Sequence, residues 1–186
     1  MLRSTLIILL VAFSASANAQ GSNYSYVQGS YGRVDLDGSG FDVDGEGLGI
    51  SASFALDTNF HVYGEYQNAG FDPGGDLDMM ELGIGYHTNV SPRMDLYANL
   101  GYLDFDAGGG AGDDGFSVGL GVRGAVSDAV ELFGGLDYID FDRSDGETRA
   151  NAGFMLSLTR ELALGLKASF WDDVNIFQMN ARWYFE

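Results

Sequence analysis

From Gly47 to Leu56 the chain alternates without a break. Leu48, Ile50, Ala52, Phe54 and Leu56 fall on one side, and Gly47, Gly49, Ser51, Ser53 and Ala55 on the other. Successive side chains of a β-strand point to opposite faces, so this segment predicts a strand with one oily face and one face of small or polar residues. A helix would scatter the five apolar residues around its axis. The pattern recurs at Met80, Leu82, Ile84 and Tyr86, at Phe116, Val118, Leu120 and Val122, and at Leu162, Leu164, Leu166, Ala168 and Phe170. It closes the chain with Phe177, Met179, Ala181, Trp183 and Phe185, set against Gln178, Asn180, Arg182 and Tyr184. Ten strands are predicted, at about 24–34, 46–56, 60–70, 78–88, 94–105, 115–126, 130–141, 149–158, 162–170 and 175–185.

The strands come in hairpins. Those beginning at Phe60, Met94, Val130 and Leu162 start 34, 36 and 32 residues apart, each after a short polar turn. One unit is a strand, an acidic loop, a returning strand and a tight turn. Solenoids and propellers also repeat, but no second layer in this chain could cover the oily face. The fold class expected is therefore all-β: a single closed antiparallel barrel of ten strands, with eight as the alternative.

Residues 1–19 stand apart. Arg3, an apolar run from Leu6 to Phe13 and the small-residue end Ala17-Asn18-Ala19 make a secretory signal peptide, cleaved after Ala19. The run is too short to span a bilayer as a helix, which needs about 20 residues. Residues 20–186 then form one exported barrel domain.

Composition changes this picture in two ways. A net charge of −18 excludes the basic face that a nucleic-acid binder needs. The absence of cysteine excludes disulfides, thiolate metal sites and a thiol nucleophile. The residue sizes decide which way the barrel faces. A soluble lipocalin-type barrel turns its apolar residues inward. Here those residues are large, and rows of Leu, Ile and Phe would crowd a ten-stranded lumen, whereas Gly, Ala, Ser and a few charges fit it. Aromatics near strand ends (Phe54, Phe60, Tyr66, Tyr86, Tyr102, Tyr138, Phe170, Trp183 and Phe185) match the interfacial girdles of membrane barrels. The oily face is therefore expected to meet lipid.

On these residues the chain resembles the small outer-membrane β-barrel family, the OmpA/OmpX-like transmembrane barrels. The resemblance covers all of residues 20–186. Its most specific part is the last strand, where Phe177, Met179, Ala181, Trp183 and Phe185 match the family's assembly signal, followed here by one extra residue, Glu186. It implies location in the bacterial outer membrane, contact with outer-membrane lipid and lipopolysaccharide, and recognition of the last strand by the barrel assembly machinery. A monomer is expected.

Three candidate chemistries remain. Glu65, Glu81, Arg123, Asp137, Lys167 and Arg182 fall at inward positions. Charges of both signs there predict an ion-paired network that plugs the lumen or narrows it to a fine channel. Of the 27 acidic residues, 18 lie in the five predicted long loops and strand tops, forming a rim. Within that rim, Asp35, Asp37, Ser39, Phe41 and Glu46 follow the ligand spacing of a calcium loop, with Gly40 for the turn, so Ca²⁺ is a possible surface ligand. No other cofactor is indicated. The two histidines, His61 and His87, fall near the short turns and form no catalytic constellation, so no enzyme activity is expected. The function expected is structural, adhesive or surface-interactive, with a narrow porin-like channel as the alternative and an outer-membrane enzyme behind both.

Overall fold

A computed structural model describes residues 22–38, 41–71, 75–106, 112–171 and 174–185 of the chain; the predicted signal peptide lies outside them. Ten strands run in order: β1 (Tyr26–Gly38), β2 (Phe41–Ala55), β3 (Phe60–Phe71), β4 (Asp76–Ser91), β5 (Met94–Asp106), β6 (Gly112–Ala125), β7 (Val130–Phe141), β8 (Glu147–Ser157), β9 (Leu162–Phe170) and β10 (Val174–Tyr184). Each pairs antiparallel with its neighbours in sequence, and β1 pairs with β10 to close the barrel. Closure leaves no sheet edge, the condition for placing backbone in hydrocarbon, where every N–H and C=O needs an internal partner.

The alternation decides the wall. Leu48 is 69% exposed and Leu120 66%, while the alternate residues Ser53, Glu81, Ser117 and Arg123 are buried. The oily face therefore points outward, the sense required by lipid and opposite to that of a soluble carrier. Two aromatic belts bound it. Phe54, Phe60, Tyr86 and Trp183 stand exposed near the end that carries the short turns, with Phe54 packed on Phe185 at 5.2 Å and Phe60 on Tyr86 at 5.2 Å. Tyr31, Tyr66, Tyr102, Tyr138 and Phe170 form the other belt. From Met94 to Tyr102 strand β5 climbs about eight residues, roughly 27 Å along its length. A tilt near 40° reduces this to roughly 20 Å of height, close to the ~25 Å band of known barrels.

The turn end is built by local polar chemistry. Asp57 accepts hydrogen bonds from the backbone N–H groups of Asn59 (2.7 Å) and Phe60 (2.9 Å). Those donors hold its carboxyl below the usual carboxylate range. A depressed carboxyl contributes stability above its unfolded pKa of about 4, and loses it as pH falls through the folded value. In urea unfolding, Asp57→Ala should therefore lower the midpoint at pH 7 and match the wild type at pH 2.

The opposite end departs from expectation. The first of the anticipated long acidic loops is largely strand: β1 and β2 run several residues past their predicted ends, and Asp35 pairs with Asp44 across them. The cause is a reversal of polarity above the upper belt. Past Tyr102 the outward residues are Asp104 and Asp106, while Leu103 and Phe105 point inward; past Tyr138, Asp140 is outward and Ile139 and Phe141 are inward. Outside the membrane a strand meets water on its outer face, so the hairpin tops continue as sheet with the phase of a soluble barrel.

Candidate functional site

The lumen is layered, and each layer is set by which inward side chains the register brings to one height. Near the turn end, Arg123 on β6 donates to Glu131 on β7 at 2.7 Å and to the Tyr184 hydroxyl at 3.3 Å. Tyr24 lies flat on His87 with ring centroids 3.7 Å apart, and the Nδ1 atoms of His61 and His87 are 3.1 Å apart. Neither imidazole is hydrogen-bonded to a carboxylate among the described residues. These rings close the base of the barrel.

The middle layer is an ion-paired cluster centred on Arg149 of β8. Its guanidinium reaches across the lumen to Glu81 on β4 (3.0 Å) and along the wall to Asp137 on β7 (3.1 Å). Glu81 also accepts from the Tyr63 hydroxyl (3.0 Å) and from Ser117 (2.9 Å), and Asp137 accepts from Asn151 (3.0 Å). Both oxygens of Glu81 and Oδ2 of Asp137 thus have donors, as a buried charge requires. Beside the cluster, Lys167 stands 3.8 Å from Glu65, which also accepts from Gln67. Arg182 donates to Gln28 at 2.9 Å and stacks 4.0 Å from the Tyr26 ring. Glycine makes room for this packing. A Cβ on Gly83 would stand 2.5 Å from the Tyr63 ring, and one on Gly101 2.7 Å from its hydroxyl. Tyr63 can lie across the inner wall toward Glu81 only because both positions are bare. A cavity of about 170 Å³ remains among these polar side chains.

Above it the lining changes abruptly. Val34, Ala69 and Ile176 form one apolar cluster and Met79, Leu103 and Ile139 another, with Phe71, Phe105, Phe141 and Trp171 packed against them. They enclose a second cavity of about 430 Å³ at the hairpin end. Its floor is the middle layer: the Arg149 guanidinium sits 5.4 Å from the centre of the Trp171 ring.

The six inward charges predicted from the sequence all face the lumen, but they do not form one network. Glu81 and Asp137 share Arg149, Glu65 faces Lys167, Arg123 pairs with Glu131, and Arg182 is held by Gln28 and Tyr184. Arg149 and Glu131 were missed. Both keep the inward parity, Arg149 with Asn151 and Glu131 with Asp137, so the signal was present at the first residues of their strands. The apolar layer was missed too. Its signal is the segment Tyr-Leu-Asp-Phe-Asp at 102–106 and Tyr-Ile-Asp-Phe-Asp at 138–142, where the oily positions change parity after the tyrosine.

Of the calcium-spaced residues, the structure describes the side chains of Asp35 and Glu46. Asp35 and Glu46 lie on the outer face of β1 and β2. Arg33 pairs with Asp35 at 2.6 Å and with Asp44, and holds the Asp44 carboxyl below the usual range. Glu46 accepts from the Tyr31 hydroxyl at 2.6 Å. Asp37 and Phe41 fall on the strand ends, and Ser39 lies outside the described residues, as do Asp72, Asp172 and Asp173 of the rim. Among the described residues no cluster of His, Asp or Glu is arranged to hold a metal ion. Of the final-strand residues, Phe177, Met179 and Trp183 are exposed on the lipid face, Ala181 shares that face, and Phe185 follows the strand end.

Comparison with known proteins adds the context of this architecture. Residues 5–170 match the family described as outer membrane protein beta-barrel domain. No curated protein matches the sequence. Among solved structures, an outer membrane channel from Pseudomonas putida F1 superposes with a TM-score of 0.53 at 8% identity, over 94% of this chain and 100% of that one. The KdgM porin in complex with disordered oligogalacturonate gives 0.51 at 7% identity, over 87% and 99%. The translocator domain of the autotransporter NalP from Neisseria meningitidis gives 0.51 at 13%, over 89% and 90%. At these identities the likeness is one of fold.

Proposed function

The chain belongs to the outer membrane protein beta-barrel domain family, and from that premise we propose that it is a narrow solute channel, closed at rest by the Arg149 cluster. The observation that carries this reading is the pair of cavities stacked in one lumen, about 430 Å³ and about 170 Å³, with side chains between them. Glu81 lies one inward step below Met79 on β4, and the Arg149 guanidinium lies 5.4 Å from the centre of the Trp171 ring. Side chains can swing aside where a backbone plug could not, so the closed lumen is compatible with transient passage. Two proteins of similar fold, an outer membrane channel and a porin, agree with it. The structural or adhesive role has the acidic rim as its support, and a rim of carboxylates at the outer mouth serves a channel equally well.

In this proposal the hairpin end faces the cell surface and both termini face the periplasm, as in barrels with short periplasmic turns. The oily wall meets lipid and the outer leaflet, the last strand serves as the assembly signal, and one chain suffices for the lumen. His61 and His87 serve packing at the base, with no catalysis.

The test is conductance in planar bilayers. The refolded chain is expected to show brief, small unitary steps separated by long closed periods. A membrane that stays silent at all voltages for both the wild type and Arg149→Ala would leave the structural role as the better reading.

A further inference from the structure

We propose that the apolar cavity at the hairpin end is a binding site for a neutral, largely apolar small molecule. The inference does not require that the lumen conduct. Three observations carry it. First, the cavity is not the void of a loosely closed core. Packed interiors leave few holes larger than a water molecule, which needs about 10–15 Å³ in this measure, whereas this cavity holds about 430 Å³. That volume is within the range of small-molecule pockets, which are mostly apolar with a few placed polar groups.

Second, the residues around it are not those a water-filled mouth would use. Just below, the wall carries Glu65, Glu81, Asp137 and Arg149; here it carries Leu103, Phe105, Phe141 and Trp171. The indole Nε1 of Trp171 is buried and has no hydrogen-bond partner among the described residues. An unmet buried donor is costly and rare in native structures, and an acceptor on a bound molecule would satisfy it.

Third, charge at the edge selects against anions. Among the described residues the lining includes Asp76, Asp113 and Glu147 and no Lys or Arg, and Arg149 at the floor is already paired with Glu81 and Asp137. The whole chain carries −18. An anionic amphiphile would meet this field on approach, and an uncharged one would not.

The test uses two probes on the refolded full-length barrel in detergent: N-phenyl-1-naphthylamine, which is neutral, and 8-anilino-1-naphthalenesulfonate, nearly the same skeleton with a sulfonate. Ala69→Trp fills the cavity and Leu77→Asp places a charge in its wall. Each variant is first checked for folding by its faster migration on a gel when unboiled. The neutral probe is expected to bind the wild type saturably, one per chain, above its linear partition into micelles. Each variant should weaken that binding at least about tenfold, and the sulfonate should bind the wild type at least about tenfold more weakly. Fluorescence that follows micelle content alone, identical in all three proteins, would overturn the proposal. Sulfonate binding as tight as that of the neutral probe would overturn it too.

Discussion

Arg149→Ala is expected to convert a barrel that is mostly closed into one with steady openings whose selectivity is moved toward cations, at a stability cost of about 3–5 kcal/mol. The arginine is the shared partner of Glu81 and Asp137, and both carboxylates are buried. Removing it leaves both carboxylates with their neutral donors, Tyr63 and Ser117 on Glu81 and Asn151 on Asp137, but with no counter-charge, so water must enter to solvate them. Water entry widens the constriction, and losing one positive charge leaves Glu81 and Asp137 without a counter-charge while Lys167 stays beside Glu65 and Arg182 stays in the lining, so selectivity moves toward cations relative to the wild type. Unitary conductance should rise several-fold, with reversal potentials in a salt gradient shifting toward the cation. A companion variant separates charge from volume. Arg149→Met with Glu81→Gln and Asp137→Asn removes every charge of the cluster at similar bulk, and should recover most of the lost stability while conductance falls back toward the wild-type level. A folded Arg149→Ala barrel with wild-type conductance would move the constriction to the apolar layer above.

Leu120→Arg is the second large effect, and it reads the sense of the wall. Leu120 lies midway along the lipid-facing side of β6, between Phe116 and Val122, and is 66% exposed. On a soluble barrel a substitution at so exposed a position changes stability by no more than about 0.5 kcal/mol. Facing hydrocarbon near the bilayer midplane it should cost about 2–4 kcal/mol. Guanidinium unfolding in lipid vesicles measures the difference. The same change at Asp104, beyond the upper belt, should be close to neutral there. Equal, small effects at both positions would mean that the oily face does not meet lipid.

Much of this architecture was legible because a strand's two faces follow from parity alone. The run Leu48 to Leu56 assigns its own faces without reference to any neighbour, and so does Phe177 to Phe185. The count of ten strands, the outward sense and the six inward charges follow from reading that parity along the chain. The upper boundary was harder to read. Asp35 and Asp44, outside the predicted strands 24–34 and 46–56, look like loop residues when acidity is taken as the mark of a loop, yet each alternates with an apolar neighbour and continues its strand.

The sequence by itself determined the wall of this protein: strand, turn, strand, with lipid on one side and a polar lumen on the other. Tertiary structure decided what the lumen holds. Glu81 and Arg149 are 68 residues apart and meet only because strands β4 and β8 face each other across a closed ten-stranded ring. Val34, Met79, Leu103 and Ile176 come to one height only through the register of the pairs between them. Parity is a local property with a period of two residues, whereas contact across a barrel depends on how many strands close and with what stagger.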